Sequence, residues 1–69
     1  MVSTWYARIR IEKDGDYAEH DGTIRIEHPG GAHAPTPRDV EQAVIALITH
    51  QSPHLKGGRI THRTIRKLP

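Results

Sequence analysis

Residues 5–12 read Trp-Tyr-Ala-Arg-Ile-Arg-Ile-Glu, with Trp5, Ala7, Ile9 and Ile11 on one side and Tyr6, Arg8, Arg10 and Glu12 on the other. Alternation with period two is the signature of a half-buried strand, and it predicts one over about residues 4–12. The pattern returns at residues 23–28, where Ile24 and Ile26 face inward and Thr23, Arg25 and Glu27 outward, predicting a second strand over about 22–28. The intervening segment holds two Asp-Gly pairs, Asp14-Gly15 and Asp21-Gly22. Glycine accepts positive φ without a side-chain clash, so both pairs favour turns. The expected connection is a hairpin loop longer than the tight two-residue type.

The period then changes to 3.6. Val40, Ala43, Val44, Leu47 and Ile48 recur at i, i+3, i+4, i+7 and i+8, the stripe of an amphipathic helix. Thr36 is a good N-cap, Pro37 fits the first helical position, and Asp39 stands where a capping box places its acid. Pro53 limits the far end, giving a helix over about 37–51 whose stripe covers Ile9, Ile11, Ile24 and Ile26. Ile45 lies off the stripe and is expected to be partly exposed. Gly57-Gly58 breaks the chain before a third strand over about 59–66, rich in β-branched residues. Ile60 and Ile65 have opposite parity there, so both reach the core only if a bulge intervenes.

These elements predict an α+β fold, one two-layer ββαβ domain spanning residues 1–69. Its three-stranded sheet has order 2-1-3, with the most apolar strand central and the amphipathic helix packed on one face. The chain's 69 residues leave room for one domain. With no Phe, one Trp and two Tyr, the core is thin, and a domain this small buries a modest share of its surface.

Cysteine is absent, which removes disulfides and thiolate metal sites and fits a reducing, cytoplasmic setting. The longest apolar run, residues 43–48, is too short to cross a bilayer, so no membrane association is expected. No basic segment followed by an apolar run marks a signal peptide at the N-terminus. Net charge is +2, unevenly placed. Residues 1–35 carry four basic against six acidic residues, and residues 36–69 six against two.

That asymmetry brings two kinds of partner into view. Tyr6, Arg8, Arg10 and Arg25 project from the predicted outer sheet face, and some of Arg59, Arg63, Arg66 and Lys67 join them if the third strand pairs as expected. Guanidinium groups fork onto phosphates and an exposed ring stacks a base, so this set is the candidate surface for DNA or RNA. Glu12 and Glu27 dilute it. Protein contacts, homo-oligomerisation first, are the leading expectation, because a domain with few large apolar residues gains from burying more on association. Trp5, Tyr17, Ile45, Leu55 and Leu68 are the candidate interface residues.

Candidate chemistry adds little. Six histidines, His20, His28, His33, His50, His54 and His62, show no metal-ligand spacing; His28 and His33 flank a Pro-Gly-Gly turn and could converge. The acids of the 14–21 segment depart from the calcium-loop pattern at Ala18 and Glu19. Ser3 and Ser52 lack a nucleophile motif. No cofactor, metal or catalytic residue is expected, and the sequence favours binding over catalysis.

Overall fold

The computed structural model describes residues 2–28 and 34–69. Its element order is β1 (Val2–Lys13), β2 (Asp16–Glu27), α1 (Pro37–Gln51), a 3₁₀ turn (Pro53–Leu55) and β3 (Arg59–Lys67). The strands form one antiparallel sheet of order β2-β1-β3 with α1 packed on one face, the α+β architecture that the hydrophobic pattern predicts.

The hairpin is tighter than expected. Asp14 (φ 51°) and Gly15 (φ 82°) both adopt positive φ and form a two-residue turn, so β2 begins at Asp16 rather than near residue 22. Positive φ at both central positions matches the right-handed twist of the flanking strands. The second pair, Asp21-Gly22, is not a turn but lies within β2, opposite Arg8 and Ala7.

β1 supplies the centre of the core. Trp5, Ala7, Ile9 and Ile11 are buried against Val40, Val44 and Ile48 of α1 and against Leu55. Burying a side chain such as Ile9 or Leu55 contributes roughly 1.5–3 kcal/mol. The helix starts at a complete capping box: Thr36 Oγ1 accepts from the Asp39 amide at 3.3 Å, and Asp39 Oδ2 accepts from the Thr36 amide at 2.8 Å. Two amides that the first turn leaves without intrahelical partners are thereby satisfied.

The helix is rotated relative to its predicted stripe. Val40, Val44 and Ile48 are buried, but Leu47 is 42% exposed, while Ile45 packs against the core. Glu41 accepts from Arg63 of β3 at 3.1 Å, which joins the Glu41 flank of α1 to β3. Ile45 is only partly buried, as its place off the stripe predicts, whereas Leu47 departs from the stripe.

The bulge required by Ile60 and Ile65 is present. Ile11 pairs with Ile60 and Arg10 with His62, leaving Thr61 as the extra residue. Beyond it Arg63 faces Ile9, Ile65 faces Ala7 and Lys67 faces Trp5, so these three share the helix-side face with Ile60. Among the described residues, no helix is long and apolar enough to cross a membrane.

Candidate functional site

The strand registers bring part of the predicted basic set together. On the face away from α1, β2 contributes Tyr17, Glu19, Asp21 and Arg25, opposite Glu12, Arg10, Arg8 and Thr4 of β1. On the other side of β1, Arg66 stands beside Tyr6, Thr64 beside Arg8, His62 beside Arg10 and Arg59 beside Glu12. Tyr6, Arg8, Arg10, Arg25, Arg59 and Arg66 therefore share one face. Arg63 and Lys67 do not join them, because the Thr61 bulge turns both to the helix side.

Much of that face is internally engaged. Tyr6 donates its hydroxyl to Asp21 Oδ1 at 2.7 Å, and this bond to a carboxylate raises the phenol's pKa above its usual value. Arg8 Nε lies 3.7 Å from Glu19 and Arg10 Nε 3.8 Å from Glu12. The Arg10 guanidinium sits 4.0 Å from the Tyr17 ring centroid, and that of Arg66 lies 5.3 Å from the Tyr6 ring. Both are cation–π distances, so each tyrosine ring already has a cationic neighbour. Glu12, Glu19, Asp21 and Glu27 interleave the five arginines.

The sheet edges differ from this mixed face. β2 carries Asp16, Glu19, Asp21 and Glu27 against Arg25, a balance of −3. β3 carries Arg59, Arg63, Arg66 and Lys67 with no acid, a balance of +4. Neither edge has a further strand paired to it among the described residues. Arg59, Lys67 and Glu27 also have no side-chain ion pair or hydrogen bond among those residues.

Comparisons with family models, with curated proteins and with solved structures give no match.

Of the predicted interface residues, Trp5 (4% exposed) and Leu55 (1%) are core residues of the single chain. Trp5 lies on the inward face of the central strand, and the 3₁₀ turn folds Leu55 beneath the helix end, so neither is presented for contact. Ile45 and Leu68 are half-buried, and Tyr17 is 57% exposed.

The histidines are dispersed. His20 faces inward opposite Ile9, His62 lies outward beside Arg10, and His50 is exposed in the last turn of α1. His54 contacts Asp16 at 2.5 Å and helps hold that carboxyl below its usual pKa, with the Tyr17 amide adding to the effect. His33, and hence its convergence with His28, falls outside the described residues. No group of three or more His, Asp or Glu suited to a metal ion occurs among the described residues.

One contact had no local sequence signal. Ser3 Oγ lies 3.2 Å from His28 Nε2, tying the outer end of β1 to the residue after β2. The two are 25 positions apart, so only the hairpin register brings them together. Ser3 is 8% exposed, and this pair closes the end of the sheet rather than presenting a free hydroxyl.

Proposed function

We propose that this chain is a small cytoplasmic binding module, without catalytic activity, that acts through protein–protein contacts and self-associates. The observation that supports this reading is the pair of sheet edges, one acidic and one basic, that have no further strand paired to them among the described residues and flank a face whose charges are largely matched. An open edge offers unpaired backbone groups along its length, and a partner strand is the natural complement to them. The lack of cysteine fits the reducing compartment.

Nucleic-acid binding is the second reading, favoured by four basic residues and no acid on β3. Phosphate contacts need cations free to engage, and on the outer face Arg8 and Arg10 lie beside carboxylates while both tyrosine rings have a guanidinium against them. That weakens it relative to protein binding.

Affinity capture from an extract of the native host, with and without nuclease, tests the choice. The expected result is a saturable protein partner, including untagged copies of this chain, retained after nuclease treatment. Recovery of nucleic acid alone, with protein lost on nuclease treatment, would overturn the reading.

A further inference from the structure

We infer that the β3 edge of one copy takes the β2 edge of a second copy of this chain, extending the sheet head to tail. The inference rests on the protein-contact reading and names its partner and seam. Charge complementarity selects the partner edge. Joining β3 to β3 would set four basic residues against four, and joining β2 to β2 would oppose acidic strands, whereas β3 against β2 opposes +4 to −3. Like charges directly opposite each other destabilise strand pairing, and opposite charges favour it. The complementary charges share the outer flank, where β3 presents Arg59 and Arg66 and β2 presents Glu19, Asp21 and Glu27 with Arg25; Arg59 and Glu27 have no side-chain ion pair or hydrogen bond among the described residues.

The apolar residues along each edge agree. On the helix side of the β3 edge lie Ile60, Ile65 and Ile45, all only partly buried. On the helix side of the β2 edge lie Ile24 and Ile26, both only partly buried, and Leu47 of α1 is 42% exposed. These two apolar margins meet only if both copies keep their helices on the same face of the joined sheet. β2 and β3 both run antiparallel to β1, so a seam of that kind pairs β3 with β2 of the neighbour in parallel. The contact uses a different surface on each copy, and it propagates until a ring closes.

The inference is tested by sedimentation velocity over a concentration series at roughly 0.05 M and 0.5 M salt, where screening lengths differ severalfold. Opposed charges predict association that weakens by about tenfold as salt rises. Seams between like edges predict the reverse sign. Two double variants on the outer flanks sharpen the test: Arg59→Glu with Arg66→Glu on β3, and Glu19→Lys with Glu27→Lys on β2. Each alone should abolish self-association, and mixing the two should restore it. Circular dichroism checks that both remain folded, and the salt series on the unaltered chain stands even if one does not. Association that strengthens with salt, or that survives the β2 reversal, would overturn the head-to-tail seam while leaving protein binding intact. A strict monomer at every concentration would overturn self-association altogether, and nuclease-resistant capture would then judge the broader reading on a different partner.

Discussion

Gly58 is the position where one added carbon has the sharpest consequence. A Cβ there would lie 2.6 Å from Ile11 Cγ2 and 2.9 Å from the carbonyl oxygens of both Glu12 and Leu55. Carbon atoms in contact prefer about 3.5–4.0 Å, so the methyl overlap approaches 1 Å. Two of the three obstacles are backbone, and Ile11 is 2% exposed with little room to turn. Relief requires moving the start of β3 away from β1, where Gly58 also donates its amide to Leu55 at 2.9 Å.

Overpacking of this kind costs roughly 1–3 kcal/mol, and the reduced freedom of the unfolded chain returns about 0.4–1 kcal/mol. Gly58→Ala should therefore destabilise by about 1–2 kcal/mol, a fall in melting temperature of roughly 5–15 °C for a domain this size. Gly22 is the control, since a Cβ there meets nothing within 4 Å and its φ is not left-handed. Gly22→Ala should be neutral or stabilising. Gly57, with φ +80° and open space, separates strain from collision. Asn tolerates that backbone better than Ala, so Gly57→Asn should melt above Gly57→Ala, whereas Gly58→Asn should melt below Gly58→Ala. Thermal melts of the five variants by circular dichroism decide it. A Gly58→Ala protein that melts with the unaltered chain would refute the close approach of the turn to β1.

Acid titration should show stability lost as pH falls below about 4. Asp16, held by His54, and Asp39, held by the Thr36 amide and then its hydroxyl, both have folded pKa values lowered from 3.8. A lowered folded value contributes stability that is present above the unfolded value and disappears as pH drops through the folded one, so Asp16→Asn with Asp39→Asn should flatten the melting temperature between about pH 4 and pH 2. An unchanged slope would count against both contacts. Deleting Thr61 should preserve the fold, because it removes the bulge yet leaves Ile60 opposite Ile11 and His62 opposite Arg10, and it removes a buried hydroxyl that lacks a hydrogen-bond partner among the described residues. Deleting Thr64 should instead lower the melting temperature sharply by turning Ile65 away from the core, and equal melts for the two deletions would contradict the register.

The parts of the fold legible in the sequence were those with local signals. Trp5, Ala7, Ile9 and Ile11 announce β1 by strict alternation, and Thr36, Pro37 and Asp39 announce the start of α1 by its capping chemistry. The first half of β2 was hidden because its inward positions are Ala18, His20 and Gly22, small or polar residues that carry no apolar period. Ala18 and His20 lie opposite the large side chains of Ile11 and Ile9, whereas Gly22 lies opposite Ala7 and the space above it is open. Leu55 is hidden for another reason. It is a single apolar residue after Pro53, in a turn of three residues where no period can form, and only its packing under the helix end reveals it as core. Of the candidate site, parity alone placed Tyr6, Arg8, Arg10 and Arg25. The Arg8–Glu19 ion pair and the Tyr6–Asp21 hydrogen bond depend on the β2 register, which the two-residue turn at Asp14-Gly15 sets.

The Thr61 bulge connects the core to the edge chemistry. Strict alternation from Ile60 would send Ile65 outward together with Arg63 and Lys67 and would turn Arg66 inward, leaving three cations of β3 on the outer flank and one on the helix side. Burial of Ile65 offers up to roughly 1.5–3 kcal/mol, whereas relocating an exposed charge typically changes stability by about 1 kcal/mol or less. The core term is larger, so the extra residue turns Ile65 inward and carries Arg63 and Lys67 with it to the helix side. Arg59, before the bulge, stays on the outer side, and the extra residue brings Arg66 there too. The positive charge is consequently split between the two flanks of a single edge strand instead of being spread over a flat surface. A cation set distributed in this way matches a strand lying alongside β3, whose side chains alternate between the same two flanks, better than it matches a polyanion laid across the sheet.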